Sequence, residues 1–335
     1  MPTEIVAELA QGFEGRPEVA RLLVLAAARA GADAAKFQLV YADELATPDY
    51  VHYQLFRSLE LPDEEWERVS LLGADEGIQV WFDVFGEQSL ALAERLGAGA
   101  VKLHGSDTAN EGMLVRVASS TVQRIVLGAG GADLDEIEVA LRLLSRKQVV
   151  LMLGFQAYPT AEADNQVARV RALAERFRGR GGLEIGFADH ADTAFPSAVL
   201  PAAVAIGAGA SMIEKHLTLG RAVRLEDHES ALGPDEFADF CSAVRSCDAI
   251  FGQFGPGNDM GMSAAERAYR LKIRRHVIAS RDLPSGHVVS AADVMLRRTG
   301  CETAIRDIRD AYGRTLGVAV ARHAAITPDS FGDAP

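Results

Sequence analysis

Two histidines close two successive apolar runs, Glu184-Ile-Gly-Phe-Ala-Asp-His190 and Ser211-Met-Ile-Glu-Lys-His216. A lone histidine in such a place reads best as a satisfied loop residue. A matched pair at equivalent strand ends reads as a site, because neutral imidazoles from neighbouring strands can share one divalent metal. Other polar residues stand where apolar runs stop. Glu8 ends the first run, Lys36 and Gln38 flank Phe37 in the second, and Asp83 and Phe85 end the third. Strand alternation puts Lys36 and Gln38 on one face and Phe37 on the other. The fourth run carries Lys102 and is followed by His104 and Asp107, the sixth leads to Gln156 and Tyr158, and Glu214, Lys215 and Asp227 lie around the last. So many charged groups cannot end a packed core unless they pair or bind something. Lys36 and Lys102 therefore have two readings: an anion site for phosphate or carboxylate, or internal pairing with neighbouring acids. The turn Gly128–Gly131 either lets a backbone approach a ligand closely or is a plain tight loop.

These residues need elements to position them. Eight short apolar runs read as strands: Glu4–Glu8, Ala34–Leu39, Gly77–Asp83, Ala100–Leu103, Arg124–Leu127, Gln148–Leu153, Leu183–Phe187 and Ser211–Glu214. Between them lie helical stretches such as Pro17–Ala30, Pro62–Asp75, Glu87–Leu96, Asp133–Leu144 and Ala161–Phe177. Strand–helix alternation implies a parallel sheet, and eight units over residues 1–252 fit a (β/α)8 TIM barrel with Pro234–Phe251 as its last helix. A doubly wound open sheet is the rival, weakened because no Gly-x-Gly-x-x-Gly follows the first strand. Residues 253–272 begin Gly- and Pro-rich and read as a linker. Residues 273–335 read as a small β-rich second domain, with short strands at Arg275–Ser280, His287–Ser290, Ala291–Arg298 and Gly317–Ala321.

A net charge of -13 gives no basic face for nucleic acid or an anionic membrane. No apolar stretch reaches membrane-spanning length, and the N-terminus carries no basic leader. Cys241, Cys247 and Cys301 are odd in number and lack zinc spacing, which suits free thiols in a cytoplasmic protein.

Several segments together resemble the sialic acid (nonulosonic acid) synthase family. They are Ile5-Val-Ala-Glu8, Gly31-Ala-Asp-Ala-Ala-Lys-Phe-Gln38, Val101-Lys102, Tyr158-Pro-Thr160, Ile185-Gly-Phe-Ala-Asp-His190, Ile213-Glu-Lys-His-Leu-Thr218 and Asp227-His228. The tail Val277-Ile-Ala-Ser-Arg-Asp-Leu-Pro-Ser-Gly286 is similar to the start of that family's antifreeze-like (SAF) domain. The resemblance implies a barrel plus SAF domain that condenses phosphoenolpyruvate with an amino sugar. His190 and His216 would hold manganese or magnesium. Lys36 and Lys102 would hold the phosphoenolpyruvate anion beside Gln38, with Glu8, Tyr158 and Asp227 on the sugar. Asp107 would stand where the family handles the attacking water. Arg298 would enter the site of the second subunit in a domain-swapped homodimer.

The chain departs from the family inside the site. Gly12 and Phe13 replace an Asn-His pair, so a sugar contact is lost. Asp83 replaces a Ser or Thr, Gly105, Gly128 and Ala188 replace Ser residues near the phosphate, and Asp107 shortens a Glu. Losing hydroxyls and gaining a carboxylate weakens a phosphate pocket through like-charge repulsion. The retained Lys36, Lys102, His190 and His216 favour a synthase for an unusual sugar over a related aldol-type condensation or a silent binding barrel. Without the resemblance, a metal-dependent hydrolase would want more ligands on strand one than Glu8. A Schiff-base aldolase would use Lys102 or Lys36.

Overall fold

The computed structural model describes residues 2–154, 157–193, 198–252 and 260–332. Gln156 and residues 253–259 of the expected linker lie outside the described residues. Eight parallel strands close on themselves: β1 (Glu4–Ala10), β2 (Ala34–Gln38), β3 (Gln79–Asp83), β4 (Val101–Leu103), β5 (Arg124–Gly128), β6 (Gln148–Gly154), β7 (Leu183–Asp189) and β8 (Met212–His216). The seam joins β1 to β8, with Glu8 opposite His216, while on its other side Glu8 faces Lys36 of β2. The expected (β/α)8 barrel is the observed fold.

The sequence explains both surfaces of this sheet. Alternation sends one set of side chains outward against the helices, and Ile5, Phe37, Phe82, Leu103, Ile125, Leu151, Phe187 and Ile213 join that large core. The other set fills the barrel, where Val6, Ala34, Trp81, Val126, Val150, Met152 and Met212 pack as one apolar plug. Trp81 is covered from the N-terminal side by Arg124, whose guanidinium lies 5.4 Å from the ring centroid and pairs with Glu4. Side chains inside a TIM barrel form a packed core rather than a pore, so ligands can enter only above this plug.

The helix Pro17–Ala30 starts with Pro at its first turn and stops at Gly31, whose φ of 86° lets its N–H reach the carbonyls of Ala27 and Ala28. Phe13 is fully buried in an aromatic cluster, with its ring centroid 5.1 Å from Trp66 and 6.1 Å from Phe37. It serves the outer core. The predicted helix Ala161–Phe177 begins later, at Ala168. Asn165 donates from its side chain to the carbonyls of Ala161 and Glu162, and Gln166 takes a φ of 43°, which together break the earlier turn.

A second unit comprises Gln253–Pro335. Its helix Ala264–Ile273 corrects the reading of 253–272 as plain linker. Ser263 accepts from the Glu266 N–H at 3.0 Å, so Ser263-Ala-Ala-Glu266 is a helix start overlooked in the sequence. Strands β9 (His276–Ala279) and β10 (Val294–Arg297) pair antiparallel. The expected strands His287–Ser290 and Gly317–Ala321 are reduced to isolated bridges, Val288 to Thr315 and Leu283 to Val320. Val277, Leu283, Val289, Leu316, Val320, Ile326 and Phe331 form a separate small core. Stretches this short draw their pairing from that core rather than from local alternation.

Candidate active site

Above the apolar plug, the next inward layer is charged. Glu8, Lys36, Asp83, Lys102 and Glu214 are each one alternation step beyond the plug residues of their strands. All five are buried. Lys36 Nζ donates to Glu8 Oε2, lies 2.7 Å from Asp83 Oδ1 and 3.5 Å from Glu214 Oε2. Lys102 Nζ is 2.5 Å from Glu214 Oε1 and 3.8 Å from Glu8 Oε2. A β-bulge after Glu8 places Ala10 at a φ of 44°, and the Ala10 N–H donates to Glu8 Oε1 at 2.8 Å. That bond fixes the carboxyl group facing the lysines.

Lys36 and Lys102 both pair internally with neighbouring acids. Glu214 is the member that sequence reasoning left out of the site. It stands two residues before His216 on one strand, so the two-residue period already put both on one face. Burial raises Glu8 to about 8, against the lowering effect of Lys36. Burial alone would depress Lys36, but Asp83, Glu214 and Glu8 outweigh it and hold the ammonium above its usual range. Glu214 is held below the carboxylate range because Lys102 and Lys36 overcome its burial.

A raised carboxyl pKa has a definite sign in stability. Glu8 binds a proton in the fold that the unfolded chain has released, so its contribution is full below about 4.5 and lost as pH rises through about 8. The melting temperature of Glu8→Gln should therefore gain on the unaltered protein by several degrees between pH 5 and pH 8, then hold level. Parallel pH profiles by calorimetry would show that Glu8 ionises normally.

A cavity of about 420 Å³ opens over this floor at the C-terminal ends of the strands. Glu8, Gln38, Asp83, Lys102, Tyr158, His190, His216 and Asp227 all line it, so eight expected site residues meet in one place. His104, Ser106, Met152 and the glycines at 105, 128, 130 and 131 complete much of the wall. Lys36 lies beneath, fully buried. Phe85 does not line the cavity, and its N–H donates to Ser89 Oγ at the start of the next helix. Asp107 is also outside the lining, and its carboxylate accepts from Asn110 at 3.0 Å. Arg298 belongs to the second unit, where it donates to the Ile273 carbonyl.

The two imidazoles lie 5.1 Å apart between ring centroids, each about equally far from the Tyr158 ring at 6.1 and 6.0 Å. Burial, then Lys102, lowers His190 to about 4, and burial with His190 itself holds His216 well below its ordinary range. Both rings are neutral near pH 7. His190 Nδ1 faces the Ala188 carbonyl at 3.2 Å, which can only accept. The proton therefore sits on Nδ1. Asp227 holds a φ of 63°, a region Asp tolerates, and its Oδ2 is 3.7 Å from His216 Nδ1. Burial and Glu226 raise its carboxyl to about 6. Behind the pair, Lys215 and Asp189 form a buried ion pair at 3.2 Å that ties β8 to β7.

Among the described residues, no three or more His, Cys, Asp or Glu side chains gather as a metal cage. Two neutral imidazoles side by side fit a metal that takes its other positions from water and substrate, as an open catalytic site does.

The chain is similar to several known proteins over most of its length. The N,N'-diacetyllegionaminic acid synthase of Legionella pneumophila is 28% identical, over 94% of this chain and 90% of its own. A pseudaminic acid synthase of Campylobacter jejuni is 26% identical, over 87% and 85%. The crystal structure of N-acetylneuraminic acid synthetase from Leptospira borgpetersenii, bound to citrate, shares the fold with a TM-score of 0.73. It is 24% identical and covers 81% of this chain and 92% of its own. The pattern of the NeuB family matches residues 23–255, which span β2 to β8 and every charged floor residue except Glu8. The barrel with its paired lysines and histidines thus belongs to a member of the NeuB family.

Proposed function

We propose that the protein condenses phosphoenolpyruvate with an N-acylated amino sugar in its open-chain aldehyde form, giving a nonulosonic acid and phosphate. One observation carries the reading: Lys102 and two neutral imidazoles share a single cavity in a barrel of this family. In this reaction C3 of phosphoenolpyruvate forms a carbon–carbon bond to the aldehyde carbon, whose oxygen gains a proton. Water adds at C2 and loses a proton, and the tetrahedral centre then expels phosphate to leave a ketone.

The chain's own residues divide this work. Lys102 offsets the anionic charge of the donor, where low exposure strengthens the attraction. Glu8, protonated below about pH 8, presents its carboxyl to the sugar and holds a proton at the cavity floor. Tyr158, Gln38 and Asp227 orient sugar hydroxyls, and holding both substrates together supplies much of the rate. Manganese or magnesium bound at His190 and His216 would supply Lewis-acid polarisation of the aldehyde. Asp107, which accepts from Asn110 outside the cavity lining, would handle the attacking water as the family resemblance implies. The same reading makes the second unit an SAF domain and the protein a cytoplasmic, domain-swapped homodimer in which Arg298 completes the partner's site.

The test is phosphate release from phosphoenolpyruvate with a panel of N-acetylated hexosamines, first with manganese and then with EDTA. Sugar-dependent release that EDTA abolishes is the expected result. A covalent adduct trapped by borohydride in the presence of pyruvate would replace this reading with Schiff-base chemistry.

A further inference from the structure

The charged floor holds three carboxyl groups, of which Glu8 keeps its proton below about pH 8, against two ammonium groups. All three, Glu8, Asp83 and Glu214, lie within ion-pair distance of Lys36. Glu8 and Glu214 are also within reach of Lys102, so each bridges both lysines. Among the described residues, Asp83 pairs with Lys36 alone, at 2.7 Å. It also lines the cavity, whereas Lys36 does not. A ligand entering the cavity therefore meets the Asp83 carboxylate before it meets the Lys36 ammonium.

Gly105 and Gly128 give an incoming anion no side-chain donor, which leaves Lys102, His104 and Ser106 as the donors of that part of the wall. A Cβ at Gly105 would lie 2.4 Å from the Gly130 carbonyl oxygen, and one at Gly128 would lie 2.6 Å from the Gly105 nitrogen. At those two positions backbone meets backbone, so a hydroxyl side chain at 105 or 128 does not fit.

We infer that Asp83 is a specificity-determining residue: its carboxylate is a built-in anion that occupies Lys36 and competes there with the anionic donor. The inference rests on the cavity's being the donor site. It makes binding of a phosphate-bearing donor an exchange of one anion for another, at a cost set by like-charge repulsion in a buried place.

Asp83→Asn keeps the shape and removes the charge, and Asp83→Ser removes both. Lys36 keeps Glu8 and Glu214 in either variant, so no buried ammonium is stranded. The probes are phosphoenolpyruvate and inorganic phosphate, titrated calorimetrically into the full chain without sugar. Both variants should bind both probes at least roughly tenfold tighter than the unaltered protein, about 1.4 kcal/mol. Equal or weaker binding by both variants overturns the inference. Binding of phosphate by the unaltered protein tighter than about 1 mM overturns it with no variant needed. Sugar-dependent phosphate release is measured in parallel. Tighter binding by Asp83→Asn with no release from the unaltered protein removes the phosphoenolpyruvate reaction and leaves the role of Asp83 standing. Release with unchanged binding does the reverse.

Discussion

Lys36→Met should destabilise the barrel by about 3–5 kcal/mol, the usual cost of removing one partner from a buried ion cluster. The side chain is fully buried, and its ammonium is the common partner of Glu8, Asp83 and Glu214. Methionine fills the same volume, so packing contributes little and the loss reads the stranded charge. Adding Asp83→Asn and Glu8→Gln to Lys36→Met should restore most of the stability, because the remaining Glu214 still has Lys102 at 2.5 Å. Chemical denaturation of the single and triple variants measures this coupling directly. A single variant within about 1 kcal/mol of the unaltered protein would mean that the carboxyls simply take up protons when the lysine is removed.

His216→Ala should abolish metal-dependent turnover, by roughly a thousandfold or more if Lewis-acid polarisation supplies several kcal/mol. Bound manganese, counted by equilibrium dialysis, should fall to background in the same variant. The fold should survive, since His216 ends β8 and the β1–β8 ladder below it is unaffected. Full turnover with no bound metal would remove the metal from the reaction. Retained manganese with lost turnover would place the ion on other residues and leave His216 a different task.

The barrel was legible because its signals are local. Eight apolar runs separated by helical stretches are enough to imply a closed parallel sheet, and the helices Pro17–Ala30 and Pro234–Phe251 carry their own Pro starts. The inward positions of Glu8, Gln38, Asp83, Lys102, His190 and His216 followed from alternation once the strands were placed. Charge partnership was not legible. Lys102 and Glu214 are 112 residues apart in sequence, and only barrel closure brings them to 2.5 Å. Phe85 was expected because it follows a strand end and Asp107 because of the family resemblance, but neither lines the cavity: Phe85 leads into a helix cap and Asp107 ends a short helix turn. In the second unit, bridges of one residue pair left no period to read, while the Ser263 start of its helix was readable and overlooked.

The seam between β1 and β8 also orders events in time. A nascent chain ending after β5 already holds Glu8, Lys36, Asp83 and Lys102, two acids and two bases that can cancel without β8. The last strand to leave the ribosome brings both the surplus carboxylate, Glu214, and the second imidazole, His216. The unfinished barrel is thus electrically balanced but chemically blank, and the surplus carboxylate arrives together with the strand that completes the site.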